Sequence, residues 1–240
     1  MSMFPQSETW SASQIESSEQ TRTLLRFFNG VYAWMFVGLG VTALVGYMMS
    51  QSPAAMQLVY GSPFGYVVLG LAAFAIAQVA QTVAVNVNAT LGTVLFLLYA
   101  AVMGMLLGGV FLVYPSSVLV SSFLVTAGTF ASMSVVGMVL KKDLTRIGGI
   151  LTMAMLGLFL ASIVNVFMHS DGLSWLITYA VVVVAVGLTA YYTQMLKGWA
   201  VQYADDPTMT ARMSVVGSLL LYVTFLNLFL SILRIMGSRR

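Results

Sequence analysis

The chain has no cysteine and a single histidine, His169, among its 240 residues. Those two scarcities remove disulfides, thiol nucleophiles, iron–sulfur ligation and every Cys/His zinc site. Charge is almost as scarce. Only 7% of residues are charged and 60% are apolar, against roughly 25% and 45–50% in an ordinary soluble domain. One soluble core of this length does not hide so much apolar surface, so the composition points to an all-α integral membrane protein with the lipid bilayer as its main partner. Ten Lys and Arg against seven Asp and Glu leave a net charge of +3, too thin for a nucleic-acid partner. The polar segment 1–23 lacks the basic-then-apolar layout of a signal peptide and reads as a cytoplasmic tail ahead of a membrane domain, 24–240.

A helix needs about 20 apolar residues to cross the hydrocarbon core. Seven stretches qualify, at 30–50, 64–84, 91–113, 118–140, 147–168, 173–196 and 214–233, and none contains Asp, Glu, Lys or Arg. The connections between them are short, which makes successive helices antiparallel neighbours. The longest are 51–63 and 197–213. In the second, Asp206 as N-cap and Pro207 at the first helical position start the last helix before it enters the membrane. Gly104 and Gly108 form a GxxxG, and Gly38, Gly40, Ala43 and Gly46 line the first span, as packing seams between helices do. Tyr32, Trp34, Tyr60, Tyr66, Tyr114, Trp175 and Trp199 fall near the expected interfaces.

The sidedness of the basic residues sets an expected orientation. Arg22, Arg26, Lys141, Lys142, Arg146, Lys197 and Arg212 share the side of the N-terminus, whereas Arg234, Arg239 and Arg240 are alone on the other. The positive-inside rule then puts the N-terminus in the cytoplasm and the C-terminus outside. The arginines at the C-terminal end dissent, and a re-entrant last segment would reconcile them by placing both termini in the cytoplasm.

Ionisable residues inside the membrane usually mark proton relays and ion sites, and the spans have none. Their polar inventory is neutral: Gln78 and Gln81, Thr126 and Ser134, Asn165, then Thr189, Tyr191, Tyr192, Thr193 and Gln194, and last Tyr222, Thr224 and Asn227. Asn165 and Asn227 read as interhelical hydrogen-bonding glue or as the lining of a polar cavity. Neither a nucleophile–base pair, nor HExxH, nor a cofactor motif stands out, so the chain does not read as an enzyme. His169 falls in a loop beside Ser170 and Asp171. The run Lys141, Lys142, Asp143, Leu144, Thr145, Arg146 anchors a cytoplasmic loop, with Asp143 placed to cap the fifth helix, or offers a docking surface to another protein.

Several motifs together carry a resemblance. Thr126-Ala-Gly-Thr-Phe-Ala-Ser-Met-Ser134, Lys141-Lys-Asp-Leu144, Leu160-Ala-Ser-Ile-Val-Asn165, Gly187-Leu-Thr-Ala-Tyr191 and Thr193-Gln194 follow one another in the middle of the chain. Leu221-Tyr222, Phe225, Asn227-Leu-Phe229 and Leu233-Arg234 follow in the last span. In order, spacing and span count this resembles the Bax-inhibitor (transmembrane Bax inhibitor motif) family, in its bacterial YccA/YbhL-like branch, over roughly residues 25–240. The resemblance implies a seven-helix bundle with a central last helix in the bacterial inner membrane. It also implies a cation (calcium) leak with a role in ion homeostasis or stress. The alternative it implies is a non-transporting regulator of another membrane protein, such as a membrane-bound AAA protease.

The chain departs from the family pattern where the implied proton gate belongs. The sixth-span motif, normally Tyr-Asp-Thr-Gln, here reads Tyr191-Tyr192-Thr193-Gln194; the seventh, normally Leu-Tyr-Leu-Asp-Phe, reads Leu221-Tyr222-Val223-Thr224-Phe225. A tyrosine titrates near 10 and a threonine not at all, so neither position switches near neutral pH. Because the aspartates they replace are paired in the family, Tyr192 and Thr224 are expected either to hydrogen-bond to each other as a gating or helix-contact pair or each to pack separately.

Overall fold

The computed structural model describes residues 12–238, with side chains from Thr21 onward apart from Pro63. The first part of the tail, 1–11, and the terminal Arg239 and Arg240 lie outside the described residues. Among the described residues the elements are all helical: α1 (Ala12–Ser50), α2 (Pro53–Tyr60), α3 (Pro63–Asn86), α4 (Ala89–Leu107), α5 (Val110–Val113), α6 (Ser116–Val139), α7 (Thr145–Met168), α8 (Asp171–Gln202) and α9 (Pro207–Gly237). Seven segments are long and apolar enough to cross a membrane, with α4 and α5 counted as one.

Polar side chains start these helices where the chain turns. Ser52, Ser62, Asn88, Ser170 and Asp206 each sit at an N-cap and accept a hydrogen bond from a backbone N–H of the first turn. Such a cap satisfies a donor that the helix itself leaves orphaned. Asp206 accepts from both Thr208 N and Met209 N, and Pro207 follows at the first helical position, as expected from the sequence.

The structure differs from the seven-stretch expectation at several ends. Helix α1 already begins at Ala12, so part of the expected tail is a continuation of the first span. The 51–63 connection folds its own helix, α2. The span expected at 91–113 breaks at Gly108 and Gly109, between α4 and α5. Tyr60 repairs that break: its hydroxyl donates to Leu106 O at 2.5 Å and accepts from Gly109 N at 3.0 Å. Burial pushes this hydroxyl's pKa up, more than the Gly109 hydrogen bond draws it down, so it keeps the proton it donates. The 197–213 connection shrinks to Tyr203–Asp206, because α8 runs on past the bilayer length.

Helix α9 continues unbroken from Pro207 to Gly237, which leaves no re-entrant turn. Its charge-free stretch runs from Met213 to Leu233 between Arg212 and Arg234. At ~1.5 Å per residue that stretch covers roughly 32 Å, close to the ~30 Å hydrocarbon thickness. Within its apolar window 72% of residues are buried, against 6% for α7. The last helix is therefore the core of the bundle, packed against α1, α3, α4, α6 and α8, while α7 leans mainly on α8.

One hydroxyl group ties three of these helices together. Tyr222 of α9 is fully buried, with the rings of Phe96 and Tyr99 edge-on at 5.3 and 5.7 Å. Its hydroxyl meets Thr42 Oγ1 of α1 at 2.5 Å, and Thr42 Oγ1 lies 2.9 Å from Ala100 O of α4 and 3.0 Å from Gly38 O. A threonine has one proton to give. It goes to a carbonyl, so the Tyr222 hydroxyl donates to Thr42. Four residues before Tyr222, Ser218 Oγ shares its proton between Ser214 O of its own helix at 2.7 Å and Val31 O of α1 at 2.9 Å. The small residues expected to form packing seams let these backbones close up: a Cβ on Gly104 would run into Val45 and Thr42 O, and one on Gly38 into Phe96.

This relay has a direction, and its two ends are not equivalent. Tyr222→Phe leaves Thr42 bonded to a carbonyl and is expected to cost ~0.6–1.7 kcal/mol, the range of interhelical hydrogen bonds in membranes. Thr42→Val strands a buried tyrosine hydroxyl and is expected to cost more, about 1–3 kcal/mol. The double variant is expected to lose less than the sum. Unfolding in mild detergent measures all three, and equal, additive losses would mean that the two hydroxyls are independent.

Candidate functional site

The candidate residues fall at the two ends of the bundle and in a polar layer between them. At the end where α9 begins, the loop joining α6 to α7 is held by α8. Gln194 Oε1 accepts from Leu144 N at 2.8 Å, and its Nε2 donates to Leu140 O at 3.1 Å and to Lys142 O at 2.9 Å. One turn further on, Lys197 Nζ donates to Met138 O at 2.9 Å. That carbonyl is among the last of α6, where a cation is favoured by the orphan carbonyls and the helix dipole. A single amide side chain thus uses both of its protons and an oxygen lone pair on the backbone of one short loop.

Within that loop Lys141, Lys142 and Arg146 are exposed, and the one acid is already engaged. Asp143 Oδ1 accepts from Thr145 Oγ1 at 2.6 Å and from Thr145 N at 2.8 Å. These hydrogen bonds, the hydroxyl first, hold its carboxyl below the usual aspartate range. The expected capping role is altered in detail: the N-cap position of α7 belongs to Leu144, and Asp143 reaches over it to the first helical residue. With Asp143 engaged by Thr145, three exposed basic side chains project from an ordered backbone.

On the same end of the bundle, Arg212 closes α3. Its Nη1 and Nη2 each donate at 2.8 Å, to Val85 O and Val87 O, and its Nε is buried without a partner. The guanidinium serves as a C-terminal cap for a neighbouring helix.

The expected pair in the middle layer does not form. Tyr192 OH lies 3.4 Å from Thr152 Oγ1 of α7, whereas Thr224 Oγ1 donates to Leu220 O of its own helix at 2.8 Å. A threonine within a helix satisfies itself on the carbonyl four residues back, so it needs no partner across the bundle. The longer tyrosine carries its hydroxyl out to α7. Nearby in the α1–α6–α8 layer, the Tyr32 hydroxyl faces Ser134 and Thr193, and Ser134 Oγ is buried with no hydrogen bond of normal geometry.

At the end where α9 finishes, Asn165 and Asn227 part company. Asn227 Nδ2 donates to Val223 O of its own helix at 2.8 Å. Asn165 Oδ1 accepts from Ser170 N at 3.2 Å and so fastens the turn that His169 makes in the left-handed conformation, φ 52°. Asn165 also lines a cavity of about 420 Å³ with Tyr66, His169, Asp171 and Arg234. The asparagine is therefore both a local hydrogen-bonding partner and a cavity wall. Among the described residues no three of His, Cys, Asp and Glu come together.

Comparison with known proteins places this architecture. The family model for inhibitor of apoptosis-promoting Bax1 matches residues 24–240. The chain belongs to the Bax inhibitor family. It is 40% identical to the inner membrane protein YbhL of Escherichia coli K12 over 241 residues, covering all of both chains. It is 37% identical over 226 residues to a protein of Deinococcus radiodurans, covering 94% of this chain and 95% of that one. A Borreliella burgdorferi protein is 36% identical over 215 residues, with 90% and 93% covered.

In this member of the Bax inhibitor family, the sequence motifs pointed to Gln194 but not to its task. A Gln-x-x-Lys spacing near the end of a long helix puts both side chains on one face, and that was the available signal. Replacing Gln194→Ala is expected to release the backbone of 140–144 while leaving the spans in place. Hydrogen exchange should show the Leu144 amide losing most of its protection. The Asp143 contacts carry a pH dependence whose sign is set by the lowered pKa. Their contribution is present at neutral pH and is lost as pH falls through the folded-state value, below the ordinary aspartate range. The Thr145 amide should lose its protection in that same acid window.

Proposed function

We propose that this Bax-inhibitor-family chain is a multi-pass protein of the bacterial inner membrane that regulates another membrane protein through its clamped basic loop. The observation that carries the reading is Gln194, whose three hydrogen bonds hold the backbone behind Lys141 and Lys142. A loop that merely retained the membrane topology would need its positive charges and nothing to order them. The reading places the N-terminus in the cytoplasm and the C-terminus outside, supported by seven basic residues on one side of the spans. The inner-membrane assignment follows the name of the similar protein YbhL. A membrane-bound AAA protease is the class of partner that the family resemblance suggests, and an acidic cytosolic surface is what the loop fits.

A calcium leak is the second reading, favoured by the polar cavity that brings Asn165 and Asp171 to the end of α9. Any such leak is not gated by a carboxylate pair in the middle layer. Tyr192 and Thr224 stand where the resemblance puts the two aspartates, and both are neutral across the physiological range.

Two experiments separate these readings. Purification in mild detergent is expected to retain a stoichiometric partner, and Lys141→Glu with Lys142→Glu is expected to release it. A partner-free wild-type protein would sink the regulatory reading. In calcium-loaded liposomes, flux with the wild-type chain is expected to match that of protein-free vesicles at about pH 6 and at about pH 8, and a pH-independent flux above theirs would favour the leak. A pH-dependent leak from the native chain would contradict a middle layer without a titrating pair.

A further inference from the structure

Of the three arginines that sit apart from the other basic residues, Arg234 is the one within the described residues. The structure gives it a setting that neither reading above uses. It ends the charge-free run of α9, is half-buried, and lies under the Trp175 ring with its guanidinium carbon 5.2 Å from the ring centroid. Its one hydrogen bond among the described residues is long, 3.5 Å from Nη1 to Ser174 O. No carboxylate of the described residues pairs with it. A half-buried guanidinium with most of its five donors free lacks an anionic acceptor.

Beside it opens a second cavity, of about 430 Å³, walled by Val113, Pro115, Val118 and the Trp175 ring, with Tyr114 and Ser238 at its edge. This cavity has no acidic wall; Asp171 and His169 line the other one, which Arg234 also borders. The Tyr114 ring packs so closely on Gly237 that a Cβ there would enter it, which fixes the rim. An apolar slot, one cation and aromatic rings at the level where a span leaves the hydrocarbon core together match the upper part of a phospholipid.

We propose that this cavity binds the phosphodiester headgroup of an anionic bilayer lipid, with Arg234 on the phosphate and the first part of an acyl chain against Val113, Pro115 and Val118. The lipid is a better occupant than free phosphate because most of the wall is apolar. An anionic headgroup is a better fit than a zwitterionic one because the cavity offers no carboxylate to an ammonium. Occupancy also accounts for the basic residue at this end of α9: Arg234 is held there by a ligand and not by topology.

The test uses the full chain, delipidated in a neutral detergent and titrated with phosphatidylglycerol, phosphatidylcholine or inorganic phosphate, with bound lipid counted by native mass spectrometry. One phosphatidylglycerol is expected to bind at least ~10-fold more tightly than phosphatidylcholine, a difference of about 1.4 kcal/mol. Arg234→Gln is expected to remove that preference, and Arg234→Lys to restore part of it. Ser238→Trp fills the cavity from its exposed rim without touching the core of α9, and is expected to abolish binding even if Arg234→Gln does not fold. Arg26→Gln, exposed at the other end of the bundle, is expected to leave lipid binding unchanged. Unchanged binding in Ser238→Trp, equal affinity for the two lipids, or displacement of the lipid by inorganic phosphate at equal concentration would overturn the proposal.

Discussion

Hydrocarbon supplies no hydrogen-bond partner, and every polar group of this bundle is placed by that fact. The relay from Tyr222 through Thr42 to a carbonyl of α4 or α1 is its plainest consequence. A buried phenol hydroxyl with no water to turn to has to find an acceptor, and the acceptor then has to give its own proton onward. That chain of obligations pins α9 to α1 and brings α4 against both. Several other core hydroxyls are discharged locally, on carbonyls four residues back, as at Thr126, Thr189, Thr193 and Thr224. Hydroxyls satisfied in this way cannot specify a neighbour. Only those that reach another helix do: Thr42 and Tyr222 between α1, α4 and α9, Ser218 towards Val31 of α1, Ser122 towards Met236 of α9, and Tyr192 towards Thr152 of α7.

The same economy governs the ends of the helices. Breaks and termini expose carbonyls that water would otherwise satisfy, and long side chains from elsewhere in the chain take over that work. Tyr60 spans the break between α4 and α5, Arg212 closes α3, and Lys197 and Gln194 close α6 and the loop after it. Three of these four are read most simply, in sequence, as topology signals or interfacial aromatics. Their charge or amphipathic shape does place them at the interface, and once there they reach orphan carbonyls. One residue therefore meets two requirements, and the second is invisible until the partner carbonyl is located.

How much could be read from the sequence follows from this. The seven apolar stretches and the Asp206–Pro207 start of α9 were legible because each depends on residues adjacent in the chain. The expectation that successive helices are neighbours was not met throughout, since α1 packs on α4 rather than α3, and α6 packs on α8 and α9 rather than on α4 or α7. The α4–α5 break was not, since a GxxxG motif reads as a packing seam whether or not the helix continues through it. Gly104 does pack against α1, and four residues later the helix ends. The Tyr192–Thr224 pair failed for a related reason. Its expectation carried over a contact between two carboxylates, which repel or share a proton across a gap. A threonine and a tyrosine have no such need, and each is satisfied nearer home.

That last difference bears on what family membership can say about mechanism. The fold of a Bax-inhibitor bundle rests on α9 being buried on all sides, and the contacts that bury it are made by Tyr222, Ser218 and apolar residues. None of them is an acid. A charge-free middle layer therefore costs the architecture nothing, and it avoids burying a carboxylate, which is expensive unless the group is paired or protonated. A chain can keep this fold while the chemistry of its centre goes silent. The polar chemistry that remains is gathered at the two ends, in a loop ordered by Gln194 and in an arginine without a carboxylate beside it. Both face the bilayer surface, where recognition of a partner or a lipid headgroup requires no path through the core.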